Sequence, residues 1–217
     1  PINPGSKGDN GSRSPAYLAK NPGGTIPAIE EPQTGFVLAE AHAILCYLSN
    51  KHGWDDVYPS DPQQRAKVDW YLHYHHRNVR DASIGLVAPK IRKDLNIPDI
   101  IQQSARSTFT RALRTLDTGW LAQSRYLTGD RLTLADFAAY MEIGQLQPCF
   151  TNLFDFEPYP HVRRWLEAMR QVAGHDDAHV VLTELGDISV EAPALEAIKQ
   201  ANFRALAALK TRVAQMG

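Results

Sequence analysis

The stretch Asn21 to Leu48, NPGGTIPAIEEPQTGFVLAEAHAILCYL, decides the fold, and the rest of the chain is read outward from it. It opens with Asn21-Pro22-Gly23-Gly24, residues that stop helices and accept turn angles. Pro27 has no N–H to give, which suits a strand start or edge, and Ile26–Pro27 is the type of bond that adopts cis. Ala28-Ile29 and Phe36-Val37-Leu38 read as two short strands joined by the turn Glu31-Pro32-Gln33-Thr34-Gly35. Glu40-Ala41-His42 then opens a helix with the apolar stripe Ile44, Tyr47 and Leu48. A strand that hands a carboxylate to a helix N-terminus makes a place for a small zwitterion. The helix N–H groups and dipole suit its carboxylate, and Glu40 suits its ammonium. On these residues alone, Glu40 serves equally well as a complement to the helix dipole and nothing more.

Composition narrows the class. A chain of 217 residues suggests one or two domains, and 43% hydrophobic residues are enough for a packed core. A formal net charge of -1 gives no support to a nucleic-acid or anionic-membrane partner. No run approaches the roughly twenty apolar residues of a membrane span, and no secretory apolar segment is present. Cys46 and Cys149 form neither a CxxC pair nor a metal cluster. They read as buried small apolar residues of a reducing interior, so a cytoplasmic protein without a metal is expected. The chain begins at Pro1 rather than Met, as a trimmed or partly given product would.

Upstream of the deciding stretch, residues 1–13 are polar and irregular and read as a mobile loop, and Ser14-Pro15 starts a short helix with Ser as N-cap. Downstream, His52-Gly53 ends the Glu40 helix, and the chain after residue 60 reads as helix throughout, which puts a domain boundary between Lys51 and Asp61. Asp61-Pro62 starts a long helix with a buried stripe of Val68, Tyr71, Leu72, His75 and Val79. Asp69, His73, His76 and Arg80 form a second stripe, of which Asp69, His73 and His76 are readable as metal ligands or as the polar wall of a cleft or dimer groove. After Ile97-Pro98 a helix is expected to run to about Gln123 with Phe109, Ala112, Leu113, Leu116 and Trp120 on one face. Thr133 to Asp136 predicts a capping box opening a buried helix with Phe137, Ala138 and Met141. Further helices are expected over 161–172, over 175–185 and after Pro193, the last with Leu195, Ile198, Leu206, Leu209 and Val213 as its stripe.

Three segments together resemble a cytosolic glutathione transferase, the theta class most closely. NPGGTIPAI with FVLAEAHAILCYLS is similar to the family's NPxGxVPxL and LxESxAILxYL. WDDVYPSDPQQRAKVDWYLHYHHRNVR is similar to WYPxDxxxRARVxxYLxWHHxNLR, and YLTGDRLTLADFAAY resembles the family's helical-domain folding motif. The resemblance implies an α+β chain: a thioredoxin-like N-terminal domain (residues 1–52) followed by an all-α domain (60–217) with an extended tail. It also implies that the family's first strand and first helix lie upstream of Pro1, and with them the serine that activates the thiol. No residue of this sequence matches that serine, so no catalytic residue is assigned.

The same resemblance assigns a glutathione site at Asn10, Thr25, Ile26, Glu40 and Ala41. The Ile26 backbone matches the position that pairs with the cysteinyl segment. Thr25 stands where lysine is common, and Glu40 matches the acid that contacts the γ-glutamyl group. Ala41 replaces a serine, keeping the N–H but losing the hydroxyl, which by the usual worth of such a bond weakens binding by roughly 1.5–3 kcal/mol. Asn10 is a weak match to a histidine position. Arg80 matches a cation facing the electrophile, with His76 and Arg77 beside it. The expected activity is conjugation of glutathione, a cosubstrate rather than a cofactor, to small electrophiles, or reduction of hydroperoxides, by a homodimer. The alternative is a non-catalytic dimerisation or scaffold module, which the absent hydroxyl at Ala41 favours and the retained Glu40 and Arg80 oppose.

Overall fold

The computed structural model describes residues 2–216; the side chains of Val213, Gln215 and Met216 lie outside the described set, so the place of Val213 in the last stripe does too. The chain divides into two compact units, Pro1–Arg65 and Ala66–Gly217.

The first unit begins with a laced loop rather than a loose one. The Asn3 N–H donates to the Asn10 carbonyl at 2.7 Å, Arg13 N–H to Ser6 carbonyl at 2.9 Å, and Gly5 N–H to the buried Ser12 Oγ at 2.9 Å. Helix α1 (Pro15–Lys20) starts as expected, with Ser14 Oγ accepting from the Tyr17 N–H at 3.2 Å. Strands β1 (Ala28–Glu31) and β2 (Phe36–Ala39) form an antiparallel pair whose register sets Ala28 opposite Ala39 and Glu31 opposite Phe36. Helix α2 (Ala41–His52) ends on Gly53, whose φ of 65° is a left-handed cap that favours glycine. The hairpin end is tied to α2 through Glu31, which accepts from Tyr47 Oη at 2.5 Å and pairs with Lys51. Lys51 and then Tyr47 hold the Glu31 carboxyl below its ordinary pKa.

The second unit is helical. Helix α3 (Pro62–Asn78) is capped by Asp61, whose Oδ1 accepts the Gln64 N–H at 2.9 Å, and its expected stripe from Val68 to Val79 is buried throughout. A wide π-helical turn at Ser83–Val87 leads into α4 (Ala88–Ile91). Gly85 is required there, because a Cβ would come within 2.7 Å of the Arg106 backbone N. Helix α5 (Asp99–Thr115) carries Phe109, Ala112 and Leu113 into the core, but it does not continue to Gln123. It gives way to a second wide turn, Leu116–Trp120, closed by Leu121 N–H to Leu116 carbonyl at 2.9 Å. The extra residue in that turn carries Trp120 out of the Leu116 face.

The capping box of α6 (Leu134–Ile143) forms as its sequence requires. Asp136, fully buried, accepts from Thr133 N–H at 3.0 Å, Leu127 N–H at 2.9 Å and Trp165 Nε1 at 3.0 Å. Burial raises the Asp136 carboxyl's pKa and those donors work against the shift. Of the stripe expected inside, Ala138 is buried and Phe137 half-buried, but Met141 is exposed, because α6 turns Ala135, Ala139 and Glu142 inward. After α7 (Pro160–Arg170), the helix expected over 175–185 is broken at His179 into α8 (His175–Ala178) and α9 (Val180–Leu185). The final helix α10 (Leu195–Met216) corrects another expectation: Leu195, Leu206 and Leu209 are exposed and Ile198 is half-buried, while among its described residues the small Ala201 and Ala205 are buried. Cys149 is exposed as well, contrary to the buried place expected for it, and Cys46 is half-buried. Among the described residues no helix is long and apolar enough to cross a membrane.

Candidate functional site

The sequence-assigned residues fall into two groups, one in each unit. In the first unit, Glu40 occupies the N-cap of α2 with φ 73° and ψ 118°, a combination that non-glycine residues rarely adopt. Such backbone costs of order 1–3 kcal/mol and is kept only where the surroundings enforce it. Glu40 places no side-chain oxygen on the first-turn N–H groups, so the helix end stays available to an outside acceptor. Ala41, the first helical residue, is exposed.

Thr25 stands beside Glu40, its Oγ1 donating to Glu40 Oε1 at 3.4 Å. The carbonyl of Thr25 is fixed by two donors, Tyr17 Oη at 2.6 Å and Asn21 Nδ2 at 2.9 Å. The bond that follows, Ile26–Pro27, is cis, and Ile26 is 47% exposed. The loop and helix of the first unit thus hold Thr25, Ile26 and Glu40 in one neighbourhood. Asn10 is exposed in the laced loop, where its carbonyl accepts from the Asn3 N–H.

One cation escaped the sequence reading. The guanidinium of Arg13 lies against Gly24, such that a Cβ there would meet Arg13 Nη1 at 2.9 Å and the Ser12 carbonyl at 2.8 Å. Gly24 has φ +61°. Arg13 therefore supplies positive charge one residue from Thr25, where the sequence lacks a lysine. The signal was present in the Gly23-Gly24 pair, which permits a close approach, but its partner is eleven residues away in the chain.

In the second unit, Arg80 follows the end of α3 and pairs with the buried Glu142, while its Nη1 also donates to Ser83 Oγ at 3.0 Å. Ser83 Oγ in turn donates to Glu142 Oε2 at 2.7 Å. The Arg80 side chain remains 56% exposed, so the pair orients the guanidinium without consuming it. His76 and Arg77 are exposed on the last turn of α3. Among the described residues no three His, Cys, Asp or Glu side chains gather as a metal site, Asp69, His73 and His76 included.

These features, a cis-prolyl loop before a hairpin, an acid at a helix N-cap and an all-helical second unit, define the glutathione-transferase class of fold. The family models agree: the glutathione S-transferase N-terminal domain matches residues 3–51, and the C-terminal domain matches residues 70–168. The chain is 30% identical to human glutathione S-transferase theta-1 over 195 residues, covering 86% of this chain and 78% of that protein. It is 34% identical to glutathione S-transferase T2 of Arabidopsis thaliana across 84% of its length, yet spans only 32% of that longer relative. Among solved structures, apo human glutathione S-transferase T1-1 superposes with a TM-score of 0.66 at 27% identity, covering 91% of this chain and 84% of that one. Human theta-2, solved in complex with glutathione and an unknown ligand, gives 0.62 at 26% identity over 90% and 83% of the two chains. The chain belongs to the glutathione S-transferase family, is theta-like, and has the family's thioredoxin-like and all-α domains.

Proposed function

We propose that the first unit holds glutathione and that the protein transfers it to small hydrophobic electrophiles. The observation that carries this reading is Glu40, held at φ 73° on an uncapped helix N-terminus beside Thr25. In this reading Glu40 takes the γ-glutamyl ammonium, the Ala41 N–H takes the γ-glutamyl carboxylate, and the Ile26 backbone pairs with the cysteinyl segment. Arg13 takes the glycyl carboxylate in place of a lysine at Thr25. Ionised carboxylates on N–H and guanidinium donors make the stronger class of hydrogen bond.

The protein supplies no nucleophile. A hydroxyl outside these residues donates a hydrogen bond to the sulfur, the thiol proton leaves to solvent, and the thiolate attacks the electrophilic carbon. A C–S bond forms as the carbon–halogen or epoxide C–O bond breaks, and the leaving atom departs with the bonding pair. Arg80, aimed by Glu142, suits the negative charge that develops on it. The working form is a homodimer in the cytoplasm, with no metal and no cofactor.

Calorimetric titration with glutathione, followed by thiol consumption with alkyl halide, epoxide, isothiocyanate and hydroperoxide substrates, tests the reading. Saturable heat and loss of thiol are expected. No heat, alongside a stable dimer in sedimentation, would leave the non-catalytic scaffold as the better account.

A further inference from the structure

The segment 175–185, made of α8 and α9, is built as a flap. It is bracketed by Gly174 at φ 79° and Gly186 at φ 67°, and a Cβ at either would meet no atom within 4 Å. These glycines serve the left-handed backbone rather than close packing. Beyond Gly186 the chain is pinned again, with Ile188 N–H on the Thr151 carbonyl at 3.2 Å and Lys90 Nζ on the Ser189 carbonyl at 2.7 Å. The flap in turn carries α10, through Arg204 to Glu184 at 2.6 Å and Arg212 to Asp177 at 3.1 Å.

Two imidazoles fasten the flap to the body of the second unit. The His175 and His179 rings stack at 4.4 Å and 21°, His179 lies flat on Phe150 at 5.4 Å, and Tyr140 meets both edge-on. His175 is bonded at both nitrogens, Nδ1 to Asp176 Oδ1 and Nε2 to Tyr140 Oη, each at 2.8 Å. A carboxylate only accepts, so Nδ1 carries the proton of the neutral ring and Nε2 accepts the Tyr140 O–H. Gln147 Nε2 donates to the same Tyr140 oxygen at 3.2 Å. Among the described residues the Tyr140 hydroxyl has no further hydrogen-bond partner.

A proton taken from solvent at His175 Nε2 turns that acceptor into a second donor. It then points at the Tyr140 O–H, which burial keeps protonated with a pKa pushed up to about 12. Tyr140 is 2% exposed, so its displaced O–H is left unsatisfied, and an unmade buried bond is costly. The new charge also lies against the His179 ring, which is itself buried. Of the groups acting on this seam, Asp176 attracts a cation, Arg170 of α7 repels one, and Cys149 is the remaining thiol.

We propose that this seam is a proton latch: protonation of His175 frees residues 175–185, with α10 attached, while the rest of the second unit stays folded. Histidine is the side chain suited to such a trigger near neutral pH.

Amide hydrogen exchange of the full chain, read by mass spectrometry at about pH 7.5 and about pH 5.5 and corrected for the intrinsic pH dependence of exchange, tests the latch. Peptides from 175–185 are expected to exchange about tenfold faster at the lower pH, and peptides from α6 at an unchanged rate. His175→Gln, which takes up no proton, should abolish the response. Asp176→Asn removes the carboxylate that attracts the charge and should move the response to lower pH. Asp176 is fully exposed, so its variant carries the test even if His175→Gln loses its fold. No acceleration in the wild type, equal acceleration in α6, a response retained in His175→Gln, or one unmoved in Asp176→Asn would each overturn the proposal.

Discussion

Arg80 is held by Glu142, sixty-two positions further along the chain, and Ser83 braces both partners. Glu142 is 8% exposed, so its carboxylate relies on Arg80 and Ser83 for its hydrogen bonds. Arg80→Ala should therefore cost stability as well as activity, about 1.5–3 kcal/mol in chemical denaturation, by stranding a buried acceptor. Adding Glu142→Gln to Arg80→Ala should recover part of that loss without recovering activity. Full activity in the double variant would remove Arg80 from the reaction.

Ala41→Ser restores a hydroxyl at the first residue of α2, where the N–H groups are uncapped. Calorimetry should show glutathione binding tightened by about 1.5–3 kcal/mol, the worth of a hydrogen bond to a charged group. An unchanged Kd would place the γ-glutamyl group elsewhere.

Arg13→Ala removes the guanidinium that lies against Gly24. Because Arg13 is exposed, its contribution is modest. A three- to tenfold weaker Kd for glutathione is expected, about 0.7–1.4 kcal/mol, with kcat little changed. Glutathione amidated at its glycyl end should be insensitive to the same substitution.

The hinge between α8 and α9 should respond to acid. His179 is 4% exposed, its Nδ1 lies 2.6 Å from the His175 carbonyl, and its Nε2 has no hydrogen-bond partner among the described residues. Nδ1 therefore carries the proton of the neutral ring. Burial, with the neighbouring His175 adding to it, lowers the His179 pKa, while the His175 carbonyl and Asp176 work against the shift. Tyr140 and Phe150 pack on its other sides. With the folded pKa below the ordinary value of about 6.5, the unfolded chain binds the proton more readily. Stability is therefore complete above that value and declines as pH falls below it. Thermal unfolding between pH 7 and pH 5 should show this decline, and His179→Phe should flatten it relative to the wild type.

Local chemistry made much of this molecule legible. Ser14, Asp61 and Thr133 cap the helices their side chains announce, and Ile26–Pro27 enters β1 as the proline requires. The stripe from Val68 to Val79 is buried because helical spacing alone decides it. What stayed hidden depends on partners far away in the chain or on small departures from helical period. The turn Leu116–Trp120 adds one residue per loop and swings Trp120 onto Trp70, which no periodicity count reveals. The exposed leucines of α10 misled for a related reason, since close approach there is made by alanines that carry little hydrophobic signal. In the site, Glu40 and Thr25 were readable from the motif, whereas Arg13 beside Gly24 and Glu142 beside Arg80 are tertiary facts.

The backbone at Glu40 has a consequence for how this sequence would drift. At φ 73°, glycine relieves the strain that glutamate bears, by of order 1–3 kcal/mol. Selection for heat resistance alone, with no ligand in the medium, should thus enrich Glu40→Gly early. Selection that also demands glutathione capture should refuse it. Deep sequencing of the two survivor pools would then mark the binding site by the position where they part.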